Sequence, residues 1–574
     1  MSLIILSQEG SKLSLWLKTA ERGKPLTDLN NNIKAGNSIV NDPSIDARAF
    51  NWEAAFPDIF AAGGFDVVIG NPPYVRQELL TPIKPYLQQH YQSYDGVADL
   101  YTYFYERGIQ LLKPDGVMSY IVTNKWFKAG YGENLRRFFV EHTIFEQIVD
   151  FGHAPIFQDA DTFPCIVSVR KPLTPLSIVN CKLSTDLPIL ICSVPREKLV
   201  DINLAQYVQS EGYHVPASRF TSDAWSLEHP DVETLMQKIK AVGIPLKKFV
   251  GVKSYRGILT GFNEAFCIEN ATRDRIVQAD PKSAEIIKPY LRGQDVKRWH
   301  SEWQNIWMIV TTSSINIDDY LGVKQHLEQY RTQLEKRAGS QQWWQLQGRP
   351  GYLELLEQPK IIYQVIQFHP QYTLDILSAY ENDKTYFLPS SDLCLLGYLN
   401  SPLFWWYSWR YFPHMKDDAL NPAGYLMGDL PIALPDDKLR AEVEAIASRS
   451  IELTKSNQSS YRDIYDWLQL EHQIEKLGRK LEDFSSLSLE EFVQEIKKRK
   501  SKDDRALTPQ SLKEIKAAYQ EYAPQIQTRK AEILQLEHQL SDLVNRAYQL
   551  TPAEIELMWR TAPPRMPITR KYAP

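Results

Sequence analysis

Between about residue 30 and residue 180 the chain alternates short apolar runs with segments of helical periodicity. Phe65-Asp66-Val67-Val68-Ile69-Gly70 is an apolar run closed by glycine, which predicts a buried parallel strand. From Leu100 to Leu112, the residues Tyr101, Phe104, Tyr105, Ile109 and Leu112 recur near one helical face, and Pro114-Asp115-Gly116 then predicts a turn. Val117 to Val122 reads as the next strand, Glu133 to Glu141 as a helix, and Ile144 to Phe151 and Cys165 to Arg170 as two further strands. This alternation predicts an α/β sheet. From about 220 to 435 the pattern turns irregular and rich in Trp, Tyr and Pro, with short strands such as Ile361-Ile362-Tyr363, which predicts a separate mixed α/β domain. From about 437 the chain is charged and helical. Ile533, Leu534, Leu536, Leu540 and Leu543, mostly at three- and four-residue steps, predict a long helix hairpin or short coiled coil. Leu481 to Arg505 reads as a polar linker or exposed tip.

The 574 residues allow roughly three or four domains. The net charge of −5 makes the whole molecule no polycation, so any nucleic-acid surface is local. Leu246 to His300 holds eleven Lys/Arg against six Asp/Glu, a local excess of +5. Five scattered cysteines form no CxxC pair, which suits a reduced cytoplasmic setting rather than a disulfide frame or a zinc site. There is no apolar run of transmembrane length, and the start, MSLIILSQEG, lacks the features of a secretion signal. The expectation is a cytoplasmic protein.

Candidate chemistry sits directly after the first strand. Asn71-Pro72-Pro73-Tyr74 arises by chance in roughly one chain of this length in five hundred. Ligands of open α/β sheets bind at the carboxyl ends of strands, which is where this tetrapeptide is expected. An exocyclic amine on a nucleic-acid base is a poor nucleophile, because its lone pair is delocalised into the ring. The Asn71 side-chain oxygen and the Pro72 carbonyl can each accept one of its N–H groups. That draws the nitrogen toward tetrahedral geometry and frees the lone pair for in-line attack on a sulfonium methyl. Two prolines lack N–H donors and fix φ, which keeps the carbonyls aimed. Tyr74 offers a flat face to a base turned out of the helix.

With this loop the chain resembles the adenine-specific amino-methyltransferases of DNA, the group containing TaqI methylase and the fused Type IIG restriction–modification enzymes. The resemblance extends over Leu15 to Thr19, Asn32 to Ser38, Gly64 to Arg76, Asp99-Leu100-Tyr101, Lys113 to Ile121, and Asp150-Phe151 with Phe157. It implies a partial Rossmann-like methyltransferase sheet over 11–180, a target-recognition domain over 220–435 and a helical segment over 437–574. It also implies S-adenosylmethionine as methyl donor, with no metal needed for methyl transfer. By resemblance Asn37 and Asn71 contact the cofactor, and Phe157 opposes Tyr74 across the flipped base; a core Phe in a strand connection is the other reading of position 157.

Phe249 to Ile268 and Ile287 to Trp299 resemble the target-recognition domain of the same enzymes, as do Asn382-Asp383-Lys384, Leu399-Asn400-Ser401 and Leu430-Pro431. The expected partner is double-stranded DNA, and Lys253, Arg256, Lys297 and Arg298 are the candidate DNA contacts, to phosphates or guanine edges. Trp343-Trp344 and Trp405-Trp406 are read as core. The last helix is expected to open on a Thr551–Glu554 capping box.

The sequence departs from the family at its start. No glycine-rich cofactor loop and no ribose-holding acid precede the catalytic loop, and the resemblance begins near Ser11. In the family's sheet order, 3-2-1-4-5-7-6, the chain would hold strand 3 and strands 4 to 7, leaving an unpaired apolar edge beside Phe65 to Gly70. The expectation is a truncated product or half of a split enzyme, partnered by a separately encoded N-terminal methyltransferase or nuclease part. Pro230-Asp231 with Glu233 lacks a suitably placed Lys, so no cleavage by this chain is expected. Methylation of a protein glutamine is disfavoured by the recognition domain. Cytosine-N4 methylation is disfavoured by Asn at position 71, and cytosine-C5 methylation by Cys165 lying within a strand. A catalytically silent DNA-binding module is the rival of a different class.

Overall fold

The computed structural model describes residues 15, 17, 18, 29, 31–152, 156, 163–173, 188–195, 199, 202–251, 253–348, 351–415, 418–474, 476–500 and 507–570. Two compact units divide at Pro230/Asp231. No helix among the described residues is long and apolar enough to cross a membrane.

The first unit is built on a six-stranded sheet. Its strands are β1 (Phe65–Gly70), β2 (Leu112–Thr123), β3 (Ile144–Asp150), β4 (Pro164–Arg170), β5 (Pro188–Ser193) and β6 (Tyr213–Pro216). They lie in the order β1-β2-β4-β3-β5-β6. β1 and β2 are parallel, β4 runs antiparallel to both β2 and β3, and β3 is parallel to β5. The first four strands thus reproduce the expected 4-5-7-6 half of a methyltransferase sheet, and β5 and β6 extend it further than expected.

Helices α1 (Tyr101–Leu111) and α2 (Glu133–His142) cover one face of the sheet. Alternate residues Met118, Tyr120 and Val122 of β2 and Cys165, Val167 and Val169 of β4 meet Tyr105, Ile109 and Phe139 there, with Trp126 and Trp225 filling the core. Entry to β1 requires Gly64, whose φ is +120° and whose missing Cβ would meet the Leu111 carbonyl at 2.6 Å.

Three sequence expectations change here. β1 is parallel and among the described residues pairs only with β2, in keeping with the open edge expected beside Phe65 to Gly70, but it is not buried, since Val67 and Ile69 are 58% and 75% exposed. Val68, on the other face, packs into the core. No strand equivalent to the expected strand 3 forms among the described residues; Asn37 makes only an isolated bridge with Ala49. Pro114-Asp115-Gly116 is not a separate turn but an irregularity within β2. The register steps from Phe65–Leu112 to Val67–Val117, and Asp115 takes φ +67°.

The second unit holds the recognition-like region and the C-terminal helices together. After α3 (Pro230–Val242) come the strands β7 (Ile244–Pro245), β8 (Tyr255–Arg256), β9 (Cys267–Glu269), β10 (Ile287–Leu291) and β11 (Ile306–Ile309). They are followed by β12 (Lys360–Gln364), β13 (Tyr372–Asp375), β14 (Tyr380–Glu381), β15 (Thr385–Leu388) and β16 (Pro431–Ile432). Two four-stranded sheets, β14-β10-β11-β9 and β13-β12-β15-β8, enclose a core with Phe266, Leu291, Met308 and Phe387. Between them lies a fully buried ionic cluster, Lys360 with Asp375 at 2.7 Å and Glu381 at 3.2 Å.

Helices α4 (Leu393–Leu399) and α5 (Pro402–Tyr411) lead to α6 (Asp437–His472), α7 (Gly478–Glu482), α8 (Leu489–Arg499), α9 (Pro509–Ala547) and α10 (Pro552–Arg560). The long α6 and α9 pair as the predicted hairpin. Its base shares one core with the recognition part, where Val443, Leu540 and Val544 pack with Leu399, Trp405 and Trp406. Its far end has a second core, which includes Leu481, Phe484, Phe492 and Ile496. The stretch from Leu481 is therefore a folded tip with its own apolar centre rather than a polar linker. Ser488 and Glu491 form the capping box that starts α8, and Thr551 and Glu554 form the expected one at α10.

Candidate active site

Strand directions place the ends of β1, β2, β3 and β5 on one edge of the sheet, and the Asn71-Pro72-Pro73-Tyr74 loop leaves β1 at that edge. Asn71 is exposed and its side chain makes no hydrogen bond among the described residues, whereas Pro72 is buried. The loop is fastened from behind. Leu100 N donates to the Val75 carbonyl at 3.0 Å, and Gln77 N donates to Asp99 Oδ1 at 3.1 Å. This gives Asp99-Leu100-Tyr101 a physical role, since it anchors the exit of the loop to the start of α1.

Tyr74 is half-exposed, with its ring 6.5 Å from that of Tyr101. Burial, with Cys165 nearby, pushes its phenol up to about 12, so it stays protonated. Asp150, at the end of β3, is half-buried and its carboxyl is raised by desolvation. It accepts from Asn124 Nδ2 at 2.8 Å and from Gly152 N at 3.1 Å. The Lys125 ammonium lies 5.4 Å from the Phe163 ring centre. Sequence reasoning singled out none of Asn124, Lys125 and Phe163; their signal was position alone, next to the ends of β2 and β4 on the catalytic-loop edge. Cys165 is buried in β4, and burial pushes its thiol well above the usual range, so it is no ready thiolate.

Phe157 lies outside the described residues. Asn37 is described, but its amide donates to Asp46 Oδ2 at 2.8 Å and its side-chain oxygen accepts from Ile39 N at 3.3 Å. Its side chain is thus held in its own loop.

Of the four candidate DNA-contacting cations, three lie outward or without an ion pair. Lys253 is exposed, with its ammonium 5.5 Å from the Tyr255 ring centre. Arg256 donates through Nε to the Asp383 carbonyl at 2.8 Å while its side chain stays 51% exposed, so the structure joins two segments that the sequence reading had named separately. Lys297 is half-buried and makes no ion pair among the described residues. Arg298 is committed inward, where its Nε donates at 2.7 Å to Glu537 Oε1 of α9, the oxygen that also accepts from the Trp299 indole at 2.7 Å. Trp405 and Trp406 are buried as expected, whereas Trp343 and Trp344 are half-buried.

Comparison with known families gives three consecutive matches. Residues 6–157 match the Eco57I restriction-modification methylase model, residues 288–432 a TaqI-like C-terminal specificity domain, and residues 436–544 a domain of unknown function. The first match begins at residue 6, ahead of the Ser11 start read from the sequence. The Type II methyltransferase M.BstVI of Geobacillus stearothermophilus is 25% identical over 70% of this chain and 72% of its own length. M.PaeR7I of Pseudomonas aeruginosa is 25% identical over 58% of this chain, and the match spans 57% of that protein. The structure of the Type IIL restriction-modification enzyme MmeI in complex with DNA shares the fold, with a TM-score of 0.50 and 11% identity over 91% of this chain and 59% of that one.

Proposed function

We propose that this chain, which joins an Eco57I-type restriction–modification methylase domain to a TaqI-like specificity domain, is a site-specific DNA methyltransferase acting on the exocyclic N6 of adenine. The observation that carries this reading is the placement of Asn71 to Tyr74 on the carboxyl edge, with the Asn71 amide exposed and unengaged. Asn71 Oδ1 and the Pro72 carbonyl accept the two amine hydrogens of the extruded base and localise its lone pair. The Tyr74 ring supports one face of that base, and a buried Pro72 keeps the acceptors from swinging away. S-adenosylmethionine, when bound, supplies the electrophilic methyl group. Asn71 and Asn37 are the residues of this chain we assign to holding it, with Asn37 first releasing Asp46. Lys253, Arg256 and Lys297 are assigned to DNA, and asparagine at position 71 favours adenine over cytosine.

The open side of β1 supports a second element of the proposal. Val67 and Ile69 present an apolar face, and among the described residues that side of β1 is an unpaired edge, which we assign to a separately encoded partner bearing the cofactor half of the sheet. The test is transfer of tritiated methyl groups to duplex DNA by the chain, alone and mixed with the product of the neighbouring reading frame. Asn71→Ala abolishes transfer and leaves duplex binding intact. Retained turnover in this variant would overturn the assignment. Binding without transfer under every condition would favour a silent DNA-binding module.

A further inference from the structure

Among the described residues, the tip of the α6–α9 hairpin gathers seven cations from α7, α8 and the residues flanking them. Along the shaft several basic side chains are matched by acidic neighbours: Arg440 meets Asp392 at 3.0 Å, Arg449 meets Glu532 at 2.7 Å, Lys530 meets Asp483 at 2.7 Å and Arg546 meets Glu442 at 3.2 Å. At the tip, Lys476, Arg479, Lys497, Arg499 and Lys500 make no ion pair among the described residues. One largely buried carboxylate, Glu495, stands between two more cations, 3.6 Å from Lys480 and 3.9 Å from Lys498.

The cluster is assembled by two local devices. The Ser488 capping box starts α8 and confines Glu490 and Glu491 to its first turn, so its last turn delivers Lys497, Lys498 and Arg499 at the opposite end. Gly478, with φ +69°, leaves the space that the Arg499 guanidinium occupies beside α7. Seven residues apart on α6, Lys455 and Arg462 both act on His300 of the recognition part, where burial and these two charges disfavour its protonation. They supply exposed positive charge between the recognition part and the tip.

We propose that this tip is a phosphate-backbone clamp that grips duplex DNA beside the stretch held by the recognition part. The proposal rests on the DNA-binding reading above and gives the matched domain of unknown function a role. From Ile446, in the core at the base of the hairpin, to Ile474, in the core of the tip, α6 and its end span about 40 Å at 1.5 Å per residue. That equals about 12 base pairs at 3.4 Å each. The contact is electrostatic and is made by lysine and arginine charges to phosphate oxygens, which carry no sequence information.

The test compares the full chain with a quadruple variant, R479Q/K480Q/K498Q/R499Q, by fluorescence anisotropy on a labelled duplex of about 45 base pairs, at several salt concentrations. Each lost phosphate contact lowers the slope of log affinity against log salt by about 0.9, so the slope falls by about 3 to 4. The hydroxyl-radical footprint shortens on one side by about one helical turn. A second variant, K476Q/R479Q, alters two exposed side chains without ion pairs and lowers the slope by about 2. Unchanged slopes and footprint in both variants, with the parent chain binding normally, overturn the clamp and leave the DNA-binding reading standing. Failure of the parent chain to bind any duplex overturns both.

Discussion

Replacing Glu381 by glutamine probes the buried ionic cluster on which the recognition sheets pack. The Lys360 ammonium has three N–H donors, and it directs them to the Leu356 carbonyl at 2.6 Å, Asp375 Oδ2 at 2.7 Å and the Ala379 carbonyl at 2.8 Å. Asp375 also accepts from the Leu377 and Ala379 amides, both at 2.9 Å, so the lysine charge is matched there. Glu381 lies 3.2 Å from the ammonium, yet neither of its oxygens receives a hydrogen bond. Burial pushes its carboxyl up to about 8 from the usual 4.5, against the pull of Lys360. Between those values the folded chain keeps a proton that the unfolded chain has released. Stability therefore falls as pH rises through that window, by about 1.4 kcal/mol per pH unit.

From about pH 5.5 to 7.5 the cost is about 3 kcal/mol in the parent chain, and it is absent from Glu381→Gln. The assay is urea unfolding of the Trp-rich recognition unit at both pH values, taking the difference between the two proteins. The buried histidines titrate in both and cancel. The variant is expected to gain about 3 kcal/mol on the parent between the lower and the higher pH. A difference that does not change with pH would refute the reasoning, because it would mean that Glu381 folds as a carboxylate paired with Lys360.

Three further outcomes are expected. Tyr74→Ala lowers methyl transfer by about 5- to 150-fold, the worth of about 1–3 kcal/mol of base stacking, while Tyr74→Phe stays near the parent rate; equal loss in both would give the hydroxyl a role. Cys165→Ser keeps methyl transfer measurable after allowance for stability, and methylated DNA digested to nucleosides yields N6-methyladenine; 5-methylcytosine in the digest would refute the assigned chemistry. Glu537→Ala destabilises the second unit by about 3 kcal/mol in urea titration, since it strands the partly buried Arg298 guanidinium and the Trp299 indole. Adding Arg298→Met should recover most of that loss, and no recovery would show that the pair does not act as a unit.

Local pattern determined much of this protein. The periodicities of Phe65–Gly70, Leu100–Leu112, Ile144–Phe151 and Cys165–Arg170 fix strands and a helix through short-range burial. Asn-Pro-Pro-Tyr carries the proposed chemistry in its residue types, and Thr551 with Glu554 writes its own cap. Other features depended on which segments meet. Phe65–Gly70 reads as a buried strand because its residues are apolar, but burial is a property of neighbours, and among the described residues Val67 and Ile69 stand exposed at the edge that the family's sheet order implies. Leu481 to Arg505 reads as polar because charges outnumber apolar residues, yet Leu481, Phe484, Phe492 and Ile496 converge once α7 and α8 fold back on the hairpin. The same folding gathers the tip cations, which lie in two separate runs of the sequence. Arg298 reads as a DNA contact until α9, more than two hundred residues later, brings Glu537 against it. Sequence specifies side-chain chemistry and local backbone preference, whereas the environment that decides what each charge or apolar face does is set by contacts between distant segments.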